Sequence, residues 1–368
     1  MANKKIEKKQ LFLAALDPFI QTNTTENVEK KVNGKDFIAW GENNNYSQFL
    51  WECYSNCATL QSIINGTADF ISGSDVISNV EYFKTEINKK GDTFNDLVQR
   101  IAIDYLIFGS FAIQVVRNLA GNVAELYWVD INKLRSDKKN EVFYYSDDWG
   151  KSYGRVKYIT YPKFKANDEN ATSIYYYKGN KTRSVYGTPI WNAAVKNVQI
   201  EQQITDFHLN EINNNFLSSK LISFNNGMPD DNIKAEIERN LNEKFTGSQN
   251  AGRMLVSFAD SKENAPEVLD LATDDFDKRY ETLEKRNANQ IFIAFRAIPQ
   301  LFGMIVEGSG FNREEYLQSF ELYNNTMVLP IQKNIIDAVD KITGVKDSIT
   351  ISPFKVPGID NLANNSVQ

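Results

Sequence analysis

The chain has 368 residues, 42% apolar, 24% charged and 12% aromatic, a composition that excludes disorder throughout and allows a substantial buried core. Its net charge of −6 at pH 7 excludes a broad basic surface that wraps nucleic acid, because neutralising phosphates takes many clustered lysines and arginines. Passing DNA without gripping it stays compatible with that charge.

Residues 1–36 are polar and weakly periodic, with Lys4, Lys5, Lys8 and Lys9 ahead of a short apolar run from Leu11 to Leu16. Asp17 and Pro18 interrupt that run too early for a signal peptide, so the stretch reads as a flexible basic arm that orders on a partner. No window reaches the roughly 18 apolar residues of a membrane span, and no membrane partner is expected. The core begins near Trp40. Apolar residues from Tyr46 to Phe70 predict a helix with Gly73 as its stop. Cys53 and Cys57 stand one helical turn apart there; with only His208 to join them, a zinc site lacks ligands and the pair reads as two reduced thiols.

Thr93 with Asp96 forms a capping box for a helix whose stripe runs from Phe94 to Phe108, and Gly109 ends it. The runs Phe111–Arg117 and Val123–Val129, either side of a polar turn, predict a β-hairpin. Short Tyr-rich strands follow over 140–186. Thr188 and Pro189 then mark the start of a helix to about Phe216, roughly 40 Å long and mostly polar. A helix of that kind packs against copies of itself or bridges domains. Lys220–Phe224, a helix from about Asp230 to Phe245, and Arg253–Phe258 predict a small β-α-β unit. A second long helix starts at Thr273 and stops before Pro299, with Asp274, Asp275 and Asp277 in its first turn, where the helix dipole favours anions. After the glycine-punctuated segment Gly303–Gly310, Asn312 with Glu315 opens a last long helix that Pro330 should kink and Gly344 should end. The fold class is α+β.

The catalytic inventory is thin. The chain lacks a GxxxxGK[ST] phosphate loop, His208 has no evident nucleophile or carboxylate partner in sequence, and Gly308-Ser-Gly310 follows no strand. The paired acids Asp230 and Asp231, or Asp274 and Asp275, are explained as helix-start charges. The expectation is a protein that is not an enzyme and that uses no cofactor and no metal.

Several segments, in order, resemble the tailed-bacteriophage portal protein family from about residue 90 to residue 340. They are Leu106–Ile113, Glu125–Asp130, Tyr186–Ile190, Phe245–Arg253, and Phe295–Gly303 followed by Asn312–Glu315. The resemblance implies a portal fold: an N-terminal arm 1–36, a wing 37–186, stem helices 187–217 and 263–297, a β-α-β clip 218–262, a channel loop within 298–311, a kinked wing helix 312–345, and a short C-terminal tail or reduced crown 346–368. It implies a homo-oligomeric ring, normally of twelve subunits, at the unique capsid vertex. The ring would pass double-stranded DNA non-specifically, contact the major capsid protein, and dock the terminase large subunit and a head-tail adaptor. The protein would be located in the virion and assembled in the host bacterial cytoplasm.

On that mapping Met304, Ile305, Val306, Glu307, Gly308, Ser309, Gly310 and Phe311 are the DNA-facing loop residues, and Glu201, Asp206 and Glu211 are candidates to line the channel. Met304, Ile305 and Val306 either tuck into the wing or project into a lumen. Gly303–Phe311 would act as a movable collar. The rival reading is another oligomeric virion scaffold or adhesion protein without a DNA channel, which the Tyr-rich stretch 140–186 could serve.

Overall fold

The computed structural model describes residues 13–14, 29–32, 36–150, 156–167, 170–179, 184–213, 220–224, 254–258, 276–304 and 313–354, together with Asp230, Asn232, Ile233, Glu236 and Arg239. The chain divides into two compact units. The larger holds Thr24–Ile200 and Arg286–Gln368, the smaller Met1–Asn23 and Glu201–Lys285.

In the larger unit the helix expected from Tyr46 is two helices, α1 (Tyr46–Asn56) and α2 (Ala58–Ser72), broken at Cys57, whose backbone is extended at φ −117° and ψ 111°. Buried Tyr46, Leu50 and Cys53 continue in phase into Leu60, Ile64 and Thr67, so hydrophobic periodicity carries no trace of the break. Both cysteines are buried, and neither is in a disulfide.

Helix α3 (Phe94–Phe108) starts at the capping box: Thr93 Oγ1 accepts from the Asp96 N–H at 3.2 Å and Asp96 Oδ2 accepts from the Thr93 N–H at 2.9 Å. It ends at Gly109 in the left-handed region, φ 71°. The chain reverses there into β5 (Ser110–Arg117), which pairs antiparallel with β6 (Val123–Val129) on one side and β10 (Thr172–Lys178) on the other. As the middle strand packed beside α3, β5 is buried over most of its length, which explains its nearly unbroken apolar run.

A second sheet runs β2 (Glu29–Lys31), β3 (Ile38–Trp40), β7 (Leu134–Ser136), β8 (Val142–Tyr145) and β9 (Ile159–Pro162), all neighbours antiparallel. Between its strands and α1 lies Arg135, 1% exposed. Its guanidinium donates to Asn44 O at 2.8 Å and Ser47 Oγ at 3.1 Å, and stands 5.0 Å from the Trp149 ring centroid and 5.8 Å from that of Trp40.

The last helix is one run in three parts: α6 (Arg313–Tyr323), a π-helical turn Asn324–Val328, and α7 (Leu329–Thr343), closed by Gly344 at φ 73°. The π turn ends two residues before Pro330, whose missing N–H would break an α-helical ladder. From this turn Thr326 Oγ1 donates back to the Leu322 carbonyl of α6 at 2.7 Å. Tyr323 and Gln332 fasten the run to α2, through a 2.8 Å hydroxyl pair with Thr67 and a 2.8 Å bond to the Ile71 carbonyl.

Two stretches expected to stand apart from the fold contribute strands to it. In the segment read as a free arm, Glu29–Lys31 pairs with Trp40, Ala39 and Ile38, while Leu13–Ala14 joins a sheet of the smaller unit. In the C-terminal tail, β13 (Ile349–Ser352) pairs antiparallel with β4 (Asp75–Ser78). These strands have two to four residues, too short for alternation to reveal them.

The smaller unit carries β11 (Lys220–Phe224) and β12 (Met254–Phe258) in parallel register, with Leu13–Ala14 antiparallel on the far side of β12. Parallel pairing requires a crossover, and residues 232–233, 236 and 239 between them are helical.

Candidate functional site

Two long helices, α4 (Val195–Asn213) and α5 (Phe276–Phe295), begin in one unit and end in the other. The start expected at Pro189 falls later. A 3-10 turn, Asn192–Ala194, precedes α4, because Trp191 is fully buried with its indole N–H on the Leu106 carbonyl at 2.9 Å, pinning the approach to the end of α3. Contact there is close enough that a Cβ on Gly187 would lie 2.6 Å from the Phe108 carbonyl oxygen.

Within α4, Glu201 is half-buried and Asp206 exposed, and Glu211 belongs to the same helix. With Lys196, these give α4 one positive against three negative side chains. His208 has a carboxylate near it after all: Glu284 Oε1 of α5 lies 3.9 Å from His208 Nε2, both roughly half-exposed. A sequence separation of 76 residues hid that pairing. In the larger unit the two helices share a polar contact, Asn197 Nδ2 donating to Asn287 Oδ1 at 3.0 Å. Apolar residues remain exposed on both: Leu209 on α4, Leu283 and Ile293 on α5.

The exit from α5 is built tightly. Arg296 takes a left-handed backbone, φ 53°. Its N–H bonds the Ile293 carbonyl at 3.0 Å and the Ala297 N–H bonds the Phe292 carbonyl at 2.9 Å, a Schellman cap without glycine. A 3-10 turn, Pro299–Phe302, follows. The Phe302 ring is wedged between Phe70, Phe292 and Tyr323 with centroids 5.7–6.0 Å apart, over Gly66 of α2, where a Cβ would come within 3.0 Å of it. Met304 also packs against the core, and its N–H reaches the Pro299 carbonyl at 3.2 Å. The anchored root thus extends two residues into the segment assigned to a collar. Ile305, Val306, Glu307, Gly308, Ser309, Gly310 and Phe311 lie outside the described residues, as do Asp231, Thr273 to Asp275, and Asn312. Beyond them α6 begins with Glu314 and Glu315 in its first turn.

Among the described residues no three metal-ligating side chains come together, and no helix is long and apolar enough to cross a membrane.

The model of the family described as "Phage portal protein" matches residues 81–350. Among solved structures, the chain is similar to one from the virion of a native gene transfer agent particle, at 16% identity over 87% of this chain and 86% of that one, with a TM-score of 0.56. A chain from the neck of the native particle, computed with C12 symmetry, gives 16% identity, 86% of each chain and a TM-score of 0.55. A HK97 family phage portal protein from Corynebacterium diphtheriae gives 11% identity, 79% of this chain, 88% of that one and a TM-score of 0.49. No curated protein matches.

Proposed function

This chain belongs to the phage portal protein family, and from that premise we propose that copies of it close into a ring of twelve at the unique vertex of a phage or gene transfer particle capsid. The ring is the conduit for double-stranded DNA in packaging and ejection. One observation carries the reading: α4 and α5 are long and largely polar, yet expose Leu209, Leu283 and Ile293, which a neighbouring copy would cover. Similarity to neck chains computed with C12 and with C6 symmetry supports a ring.

In this reading the wing is 37–186 with the kinked helix 312–345, the stem is 187–217 with 263–297, the clip is 218–262 and the channel loop lies within 298–311. The stem's Glu201, Asp206 and Glu211 outnumber Lys196, so a lumen lined by α4 repels phosphate and lets the duplex slide. Residues 305–311 meet the DNA by steric contact, with Glu307 opposing adhesion. The chain is not an enzyme: without a phosphate loop it supplies a passage, and the terminase large subunit that docks on it supplies the ATP-driven force. The major capsid protein surrounds the wing and a head-tail adaptor takes the other end. Negative-stain images of the purified chain should show closed particles with an axial hole. A stable monomer by light scattering at micromolar concentration, across a range of salt, would refute the proposal.

A further inference from the structure

A buried amide with an unused donor is rare in folded chains, because the desolvated N–H costs more than one hydrogen bond returns. Asn287 on α5 is such a group. It is 3% exposed, its Oδ1 is taken by Asn197 of α4, and its own Nδ2 is buried without a partner among the described residues. Val198, next to Asn197, and Ile291, one turn from Asn287, are fully buried, so an apolar pair would suit these surroundings better. The two asparagines also stand at a particular place in the chain: Asn197 is one turn before Glu201 and Asn287 two residues after Lys285, the two positions where the chain changes unit.

We infer that Asn197 and Asn287 form a register pin, a polar pair that fixes which turn of α4 meets which turn of α5 at a cost in stability. Sliding either helix by one turn along the other would carry Asn197 and Asn287 out of reach of each other. The amide-amide bond would be lost. Two apolar residues in their place would tolerate several registers, as they do at helix-helix seams where a single buried asparagine otherwise selects one. The inference rests on the helix pair itself and holds whatever the helices line.

The test uses the full chain with nitroxide labels on Lys196→Cys and Gln290→Cys, both exposed, diluted into unlabelled protein so that only distances within one copy are read. The native thiols are buried and should stay unlabelled. Double electron-electron resonance should give one narrow distance in the labelled parent. In the Asn197→Leu/Asn287→Leu background the distribution should broaden or split while the thermal midpoint rises by a few degrees. A single narrow distance in that background would overturn the pin, and a midpoint below the parent's would overturn its cost. Should the double variant fail to fold, Asn287→Ala, which deletes the pair without adding volume, must show the same spread, and a narrow distance there is equally decisive against the inference.

Discussion

Single side chains set conditions that no motif announces. Burial drives the Asp104 carboxyl well above the ordinary carboxylate range, and the nearby charge of Asp130 adds to it. A 2.8 Å bond from the Trp128 indole N–H and one from the Ile131 backbone only partly oppose these effects. The folded chain therefore holds a proton that the unfolded chain releases near pH 4, so Asp104's contribution to stability is full below about pH 4 and is lost as pH rises towards its folded value. Removing the titration should show this: the thermal midpoint of wild type relative to Asp104→Asn is expected to fall between pH 5 and pH 7, and a constant difference would contradict the assignment. Asp96 and Asp340, whose carboxyls are held low by hydrogen bonds from Thr93 and from Ser348 and Asp347, act in the opposite sense and only in more acidic solution. Arg296 offers a simpler case. Its left-handed backbone at an exposed helix end favours glycine, so Arg296→Gly should stabilise the fold by about 1 kcal/mol, read as a shift in the denaturation midpoint.

At the scale of elements, what the sequence shows depends on whether a signal is local. The ends of α3 were legible because Thr93, Asp96 and Gly109 act within one turn, and the β5–β6 hairpin because both strands are long enough to read. The break at Cys57 was not, since the stripe stays in phase across it, and the late start of α4 is set by Trp191 reaching Leu106, 85 residues away. The candidate site divides the same way. Pro299 marked where α5 must have ended, whereas the turn that follows is held by Phe302 meeting α2, α5 and α6, which no short window contains. The end of α2 is another long-range construction. Gly73 N–H and Ser72 Oγ take the Asp69 carbonyl, but the Phe70 and Ile71 carbonyls receive Gln332 Nε2 from α7, at 3.4 and 2.8 Å. Gln332 is buried, so Gln332→Leu would leave those carbonyls without that donor and is expected to lower stability by about 1–3 kcal/mol in urea titrations. A loss under half a kilocalorie would show that the C-terminal helix does not cap α2.

At the scale of the whole molecule, a short segment separates the α5 exit from α6. Its near side is fixed: the Schellman cap at Arg296, the 3-10 turn, the Phe302 wedge and Met304 all belong to the core of the larger unit. Its far side is α6, fastened through Tyr323 to Thr67. Both flanks draw support from described residues outside 305–310, so the fold and any ring built from it should survive replacement of those six, provided Met304 is kept. If twelve copies surround DNA, each contributes one such segment, and twelve modest steric contacts can retain a genome that no single contact holds. Substituting residues 305–310 by a Gly-Ser linker of equal length should leave rings unchanged in negative stain and in thermal midpoint, while particles assembled with it package or retain less DNA. Unchanged genome content and infectivity would refute the retaining role, and loss of rings would make the segment part of the assembly instead.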